Sequence, residues 1–255
     1  MAIPDAAWKD LLTSKQAFLE TVVDPMIGWL DRYAAKRTLD LLEYQETNKI
    51  DGSLYEVGIY HGKYFSLLAR SAALTGSMAI GIDLFDYLTP QRFREYFDEQ
   101  FSPGNLAAVA SNFRWKIIEG SSGDLSARTL LKELGSEARF ISVDGSHEYD
   151  DVLWDLRVAE QVLAAAGIIS VDDIINPICL GVAAATYNKK TPLGKRVTQY
   201  DIQNWTWDFL SHPSDPNYGE LSDRFAFDIN TGKVEREKRH EDRPLTGVRP
   251  PDSML

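Results

Sequence analysis

The sequence has little cysteine and little positive charge, and each shortage excludes a class of protein. Cys179 is the single cysteine among 255 residues, so neither an intramolecular disulfide nor a thiolate cluster for structural zinc can form. A bound metal would therefore rely on oxygen or imidazole ligands, which favours Mg, Mn or Ca. The 27 Lys and Arg residues against 38 Asp and Glu give a net charge of -11. Such a charge disfavours nucleic acid and anionic membranes as partners.

Long apolar runs are also missing. No stretch approaches the roughly 18 apolar residues of a membrane span. The first residues, MAIPDAAWKDLL, contain neither the basic nor the apolar region of a secretory signal. We therefore expect a cytoplasmic protein. Its hydrophobic content of 44% is enough for a substantial core.

Short apolar segments alternate with helical patterns from residue 53 onwards, and each apolar segment ends in Gly, Asp or both. This alternation predicts an α/β fold, a Rossmann-like doubly wound, mostly parallel sheet whose strands are buried on both faces. The expected strands are SLYEVG, SMAIGID, RWKIIEG, ARFISVDG and GIISVDD. The expected helices span 63–74, 90–113 with a break at Pro103 and Gly104, 124–134, 148–163 and 180–187.

The flanking regions complete the predicted domain organisation. Residues 1–50 form an N-terminal helical extension that Pro25 divides into two helices. The domain itself spans 51–235 and ends in an antiparallel hairpin that turns at Asn230–Gly232, and 236–255 are a tail. We expect the stretch that carries Trp205 and Trp207 to be irregular.

A glycine turn follows the first predicted strand, in Glu56-Val57-Gly58-Ile59-Tyr60-His61-Gly62. Gly58 lets the backbone turn tightly against a ligand at the start of a helix, although an ordinary βα turn would look the same. The turn is not a dinucleotide fingerprint, because Tyr60 stands where the second glycine belongs. Asp83 ends the second strand, 25 positions after Gly58, near the spacing of an acid that binds a ribose. After the third strand, Ser121 and Ser122 either line the same edge or are plain loop residues.

Three carboxylates follow the fourth and fifth predicted strands. Asp144 closes the fourth strand, and Asp172 and Asp173 close the fifth. If these strands are neighbours, the three charges converge, and a divalent cation would let all of them ionise. Helix capping is the alternative for each Asp taken singly. Asn176 is either a further ligand or, as we favour, part of a turn before Pro177.

His147 follows Asp144 by three positions, in Asp-Gly-Ser-His. Beside a cation it would stay neutral and could act as a general base near pH 7. Alternatively, it pairs with the acidic residues that follow it, Glu148, Asp150 and Asp151. His61 has a comparable claim to contact a ligand, because it lies in the glycine turn.

At these residues the chain resembles the class I S-adenosylmethionine-dependent methyltransferases. The turn Glu56-x-Gly58-x-Tyr60-x-Gly62 looks like their cofactor motif, and DGSHEYDDVLWDL and AGIISVDD are similar to metal-dependent O-methyltransferases of natural-product sugars, the macrocin and mycinamicin type, and to cephalosporin hydroxylase-like proteins. The resemblance implies a cofactor, S-adenosylmethionine, bound by Glu56, Gly58, Tyr60, Gly62, Lys63, Asp83, Ser121, Ser122 and Asp144. It also implies Mg²⁺ or Mn²⁺ on Asp144, Asp172 and Asp173.

The resemblance further implies a reaction and an acceptor. A histidine placed like His147 serves as the base in sugar-modifying relatives, so the expected acceptor is a sugar hydroxyl on a small molecule, and the relatives suggest a homo-oligomer. Tyr64 departs from the pattern, because catechol-type relatives place a small hydroxyl residue there against the methionine carboxylate. Lys63 or the backbone would have to replace that contact.

Three other functions stay open at the level of sequence. A methyltransferase could act without metal on nitrogen or carbon, and metal dependence would separate that case. A nicotinamide-dependent oxidoreductase could use a similar sheet, although the G-x-G-x-x-G motif is missing. A silent binding or scaffold protein would have no evident need for clustered acids beside a base.

Overall fold

A computed structural model describes residues 12–30, 32–101, 114–174, 176, 179–188, 197–202, 205–211, 225–228 and 233–236. The chain divides into two compact units, residues 1–138 and 139–255. The expected boundaries at residues 50 and 235 stay predictions. Within the described residues, no helix is both long and apolar enough to cross a membrane.

The first unit contains three parallel strands in the order β3-β2-β1. β1 spans Ser53–Val57, β2 spans Met78–Asp83 and β3 spans Arg114–Glu119. Every residue of β1 is buried, as expected, but β3 exposes three of its six side chains. The expectation that all strands are buried on both faces is therefore wrong for β3, the outermost of the three, whose Arg, Lys and Glu residues face solvent.

Helices of the first unit follow the apolar periodicity of the sequence. Pro25 separates the early helices from α2, as expected, because proline cannot continue a helix. α3 follows the glycine turn and ends at Gly76, whose φ of 72° closes the helix in the left-handed conformation. The helices are α1 (Lys15–Phe18), a π-helix (Leu19–Val23), α2 (Arg32–Thr47), α3 (Phe65–Thr75), α4 (Pro90–Phe101), a 3-10 turn (Ser122–Asp124) and α5 (Ala127–Leu134).

The second unit contains a sheet in the order β4-β5-β7-β6 and a separate hairpin. β5 pairs with β7, and β7 with β6, in antiparallel fashion. The expected irregular stretch around Trp205 and Trp207 is therefore wrong, since both residues lie in β7. The expected hairpin is confirmed. The elements are β4 (Ala138–Val143), α6 (Tyr149–Val162), β5 (Leu163–Val171), α7 (Leu180–Asn188), β6 (Val197–Ile202), β7 (Trp205–Ser211), β8 (Phe225–Asp228) and β9 (Lys233–Arg236).

The ends of β4 and β5 position the acidic residues. All of β4 and the last five residues of β5 are buried, as their Ile, Val and Phe content requires. The backbone N–H of Asp172 donates to the carbonyl of Val143 at 3.1 Å, a normal hydrogen-bond length. The two strands thus end side by side, and the chain turns polar at the same edge.

Candidate functional site

The glycine turn after β1 is built from left-handed backbone. Gly58, Tyr60 and Gly62 have φ of 80°, 45° and 83°. Such values suit glycine, but a tyrosine adopts them only when its surroundings hold it. The carbonyl of Ile59 accepts from the N–H of Gly62 at 2.6 Å, which closes the turn. At Gly62, an added Cβ would lie 2.9 Å from the rings of Phe93 and Phe97, so only glycine fits.

Asp83 holds this turn to the end of β2. Its Oδ2 accepts the backbone N–H of Tyr60 at 2.8 Å, and its Oδ1 accepts that of Phe85 at 2.7 Å. The first of these bonds helps to hold the backbone of Tyr60 at its positive φ. A carboxylate has about four acceptor positions, so Asp83 retains capacity for hydroxyl groups of a ligand. Its expected contact with a ribose stays a prediction.

Glu56 and Tyr64 lie on either side of the turn. Glu56 is buried within β1, as an acid at the base of a ligand pocket would be. The hydroxyl of Tyr64 lies 3.2 Å from Oγ1 of Thr38, and the tyrosine is buried against α2. The Tyr64 hydroxyl thus contacts Thr38. Tyr64 therefore does not replace the small hydroxyl residue that catechol-type relatives place against the methionine carboxylate. The Cβ of Lys63 packs against Gly28, where an added Cβ would approach it to 2.9 Å.

Ser121 and Ser122 follow β3. The hydroxyl of Ser121 accepts from the N–H of Gly123 at 3.1 Å and caps the 3-10 turn that begins at Ser122. The N–H of Gly120 donates to the carbonyl of Asp83 at 2.9 Å, so this loop is tied to the end of β2. The structure thus shows the loop chemistry of Ser121, and contact of either serine with a cofactor stays a prediction.

Aromatic rings surround the turn, and sequence reasoning did not find them. Trp29 stacks on Tyr60 with ring centroids 5.2 Å apart and planes at 8°, and Tyr87 meets Tyr60 edge-on at 5.7 Å. Trp29 is 89% exposed and Tyr87 82% exposed. His61 packs edge-on against Tyr60 and Tyr96, and burial lowers its pKa against the opposing charge of Asp83. The shift favours the neutral form of His61, which lies among aromatic rings.

The acidic cluster of the second unit consists of Asp144, Asp172 and Asp173. Each offers a carboxylate oxygen, and the three oxygens lie within 4.8 Å of one another. The three carboxylates therefore do lie close together at the ends of β4 and β5, as predicted, whereas their binding of a metal stays a prediction. Burial, and then the charge of Asp173, raise the pKa of Asp172 to about 7, while hydrogen bonds from the backbone of Asp173 and with Asp144 oppose the shift. Burial and the neighbouring charge thus favour the protonated form of Asp172 when no cation is bound.

Asp173 is the centre of a second set of contacts. It has a φ of 63°, in the left-handed region, and it is buried. Nε2 of His147 lies 2.9 Å from its Oδ2, the amide of Asn176 donates to its Oδ1 at 3.3 Å, and the thiol of Cys179 donates to Oδ2 at 3.7 Å. These partners hold Asp173 in a conformation that an isolated Asp adopts rarely.

The structure decides between the alternatives that the sequence left open for His147 and Asn176. His147 pairs with Asp173 rather than with the acids after it, of which Asp150 and Asp151 stand in the first turn of α6. Negative charge there is favoured by the helix dipole without help from His147. Asn176 does form the expected turn, since its N–H donates to the carbonyl of Asp173 at 3.2 Å, and its side chain also binds the Asp173 carboxylate.

Gly181 and Cys179 are the site residues that sequence reasoning missed. A Cβ at Gly181 would lie 2.3 Å from the carbonyl oxygen of His147 and 2.8 Å from the backbone N of Tyr149. Only glycine lets α7 approach the loop that carries His147 so closely. Cys179 was considered only for a disulfide or a cluster of thiolates, neither of which a single cysteine can form. The one available signal is its spacing before Gly181 in Ile-Cys-Leu-Gly, which carries no known chemistry on its own.

The sequence of this region matches a known family. Residues 55–174 match the family model described as a methyltransferase domain. This stretch, a little under half of the chain, is therefore similar to a methyltransferase domain. The matched residues include the glycine turn, Asp83 and the whole acidic cluster. A comparison of the full sequence with curated proteins finds no match.

Solved structures agree with this assignment of the fold. A TDP-rhamnose 3'-O-methyltransferase of calicheamicin biosynthesis is similar over 83% of this chain and 96% of its own, with 15% identity and a TM-score of 0.53. An O-methyltransferase from Bacillus cereus, in complex with S-adenosylhomocysteine, covers 81% and 96% with 15% identity and a TM-score of 0.55. A Podospora anserina methyltransferase, also bound to S-adenosylhomocysteine, covers 83% and 89% with 16% identity and a TM-score of 0.53. The expected Rossmann-like α/β fold is confirmed.

Proposed function

We propose that the protein is an S-adenosylmethionine-dependent O-methyltransferase that requires Mg²⁺ or Mn²⁺ and methylates a hydroxyl of a small molecule, a sugar or a glycosylated natural product. The observation that carries this proposal is the convergence of three carboxylates with His147 at the strand ends of a methyltransferase domain. Cofactor binding is assigned to the glycine turn and Asp83. The cytoplasmic location and the homo-oligomer stay predictions.

The acidic cluster fits a hard divalent cation. Three carboxylates supply the oxygen donors that Mg²⁺ and Mn²⁺ prefer. Burial, and then the charge of Asp173, raise the pKa of Asp172, and a bound cation would offset both effects. Asp144, Asp172 and Asp173 would hold the metal, which would lower the pKa of an acceptor hydroxyl and orient its oxygen.

His147 has the geometry of a general base whose orientation is fixed. Because the Asp173 carboxylate only accepts hydrogen bonds, Nε2 of His147 carries the proton in the 2.9 Å contact. The lone pair then lies on Nδ1. The imidazole is 48% exposed, so an acceptor can reach it. Asp173 thereby selects the tautomer and steadies the imidazolium that forms when Nδ1 takes a proton.

The proposed reaction balances as a direct displacement. Nδ1 of His147 removes the hydroxyl proton, and the oxygen attacks the methyl carbon of the sulfonium. One C–O bond forms while the C–S bond breaks, and the electron pair of that bond stays on sulfur in S-adenosylhomocysteine. The protein contributes chiefly by positioning the reactants and by taking the proton.

Two observations support a small-molecule acceptor. The net charge of -11 disfavours a polyanionic substrate, and a similar structure is an enzyme that methylates TDP-rhamnose. Nucleotide-linked sugars and glycosylated small molecules are therefore the acceptors to test first.

Turnover with and without metal tests the proposal. Release of S-adenosylhomocysteine should depend on an acceptor from this panel, stop in excess EDTA and return with Mg²⁺ or Mn²⁺. Asp172→Asn should abolish turnover and leave S-adenosylhomocysteine affinity, measured by calorimetry, largely intact. Asp51→Asn, which alters an exposed acid before β1, is the matched control. Full turnover in excess EDTA would refute metal dependence, and binding of NAD instead of S-adenosylhomocysteine would refute the methyltransferase itself.

The base is tested by a substitution that keeps its contact. His147→Gln retains an N–H that can donate to Asp173 but has no basic nitrogen. Turnover should fall by about 10²- to 10⁴-fold, the usual contribution of a positioned base, while cofactor affinity stays the same. Unchanged turnover across the pH range would reassign His147 to a structural role.

A further inference from the structure

The contacts of Asp173 form a second set of metal donors next to the three carboxylates. Nε2 of His147, Oδ2 of Asp173 and Sγ of Cys179 all lie within 4.8 Å of one another. Nε2 lies 2.9 Å from Oδ2, and Sγ lies 3.7 Å from Oδ2. One imidazole, one carboxylate and one thiol therefore form a compact group, with the imidazole and the thiol both next to Oδ2 of Asp173.

These separations are close to those of a tetrahedral metal site. Zinc bond lengths of about 2.1 Å to nitrogen or oxygen and about 2.3 Å to sulfur place a tetrahedral N···O pair roughly 3.4 Å apart and an O···S pair roughly 3.6 Å apart. The observed 2.9 Å and 3.7 Å each lie near these values. A cation could replace the two hydrogen bonds with a shift of about half an ångström.

The surroundings hold the three donors in place. Asn176 donates to the other oxygen of Asp173 at 3.3 Å, which fixes the carboxylate in the way that outer partners orient metal ligands. Gly181 brings the helix that follows Cys179 against the backbone of His147, where a Cβ would lie 2.3 Å from the carbonyl oxygen. Cys179 is buried and His147 is half exposed, so the site opens on the imidazole side.

The two donor sets select different metals. The three carboxylates suit hard cations, whereas imidazole and thiolate raise the affinity for Zn²⁺ and Co²⁺. Asp173 belongs to both sets, and His147 is the base of the proposed reaction. A cation on the second set would therefore compete for Asp173 and remove the base.

We propose that His147, Asp173 and Cys179 form an inhibitory site for a soft divalent transition metal such as Zn²⁺. This regulation rests on the proposed methyltransferase function, although metal binding itself does not. On binding, the thiol of Cys179 releases its proton to solvent, and the proton of Nε2 moves to Nδ1 so that Nε2 can coordinate. Nδ1 then has no lone pair with which to accept the hydroxyl proton.

Cobalt absorption tests the site without any need for activity. Co²⁺ added to the untagged protein should give a thiolate-to-cobalt charge-transfer band, and the band must arise from Cys179 because the chain has one cysteine. His147→Gln should weaken the cobalt affinity about tenfold or more, as loss of a ligand should exceed loss of an outer partner. Cobalt bound without the band, or a band with unchanged affinity in His147→Gln, would overturn the second site.

Inhibition tests its consequence. Zn²⁺ should inhibit turnover in competition with Mg²⁺, and Cys179→Ser, which keeps a donor to Asp173, should raise the inhibiting Zn²⁺ concentration about tenfold or more. Inhibition by Ca²⁺, which prefers oxygen ligands to thiolate, is the matched control and should be equal in the natural protein and in Cys179→Ser. Equal Zn²⁺ inhibition of the two proteins would refute the inhibitory role. An inactive protein that still shows the cobalt band would contradict only the proposed function.

Discussion

Replacing Asp172 with Asn should stabilise the metal-free protein while it destroys the proposed metal site. In the folded protein, burial and the charge of Asp173 raise the pKa of Asp172 from 3.8 to about 7. Each pKa unit corresponds to about 1.4 kcal/mol between the two protonation states. Ionisation of Asp172 therefore lowers the free energy of unfolding by at most about 4 kcal/mol. This maximum applies at a pH where Asp172 is ionised in both the folded and the unfolded protein.

The pH dependence follows from the direction of this shift. Because the folded pKa lies above the unfolded one, the folded state binds more protons between about pH 4 and pH 7, and stability falls as the pH rises through that range. The penalty should be near 2 kcal/mol at about pH 5 and near its full value at about pH 8. Asp172→Asn, which cannot ionise, should remove it.

Urea unfolding followed by circular dichroism measures this difference. In excess EDTA at about pH 8, Asp172→Asn should be more stable than the natural sequence, and the gap should shrink towards about pH 5. In Mg²⁺ the order should reverse, because a cation that binds only the folded natural protein stabilises it. Asp51→Asn should change neither result, since its side chain is exposed. If Asp172→Asn in EDTA at about pH 8 is no more stable than the natural protein, the carboxylate cluster does not destabilise the metal-free fold and this reasoning is wrong.

Three further substitutions test how the site is held. Gly181→Ala should destabilise the fold by about 1–3 kcal/mol, seen in urea unfolding, because its Cβ would meet the backbone of His147 at 2.3 Å; unchanged stability would mean that α7 relaxes freely. Asp83→Asn should weaken S-adenosylhomocysteine binding in calorimetry and leave metal affinity unchanged, so equal cofactor affinity would remove Asp83 from the site. Tyr64→Phe should cost about 1 kcal/mol by losing its contact with Thr38, without affecting cofactor affinity; weaker cofactor binding would give the hydroxyl a direct role.

The strands and the acidic cluster could be predicted from sequence because both follow from local chemistry. Apolar runs such as ARFISV can only be buried, and a polar residue such as Asp144 at the end of each run marks where the strand leaves the core. Parallel strands bring such ends together, so Asp172 and Asp173 could be placed near Asp144 without coordinates. The contact between Asp172 and Val143 is the result.

The strand β7 shows a signal that was present but not used. Trp205, Trp207 and Phe209 occupy alternate positions, which is the period of a strand. Pairing with β5, which supplies the hydrogen bonds of an antiparallel strand, decides the structure here.

The contacts within the site depended on distances that no local pattern encodes. His147 could be singled out by its chemistry, but whether it met Glu148 or Asp173 depends on how closely the chain after β5 approaches the loop after β4. That approach is set by Gly181, a residue with no functional group, at a point 34 positions further along the chain from His147. The proposed base thus owes its tautomer to Asp173 and its position to a missing side chain. Sequence chemistry identifies the reactive groups, whereas packing decides which of their nitrogen and oxygen atoms remain available to a substrate.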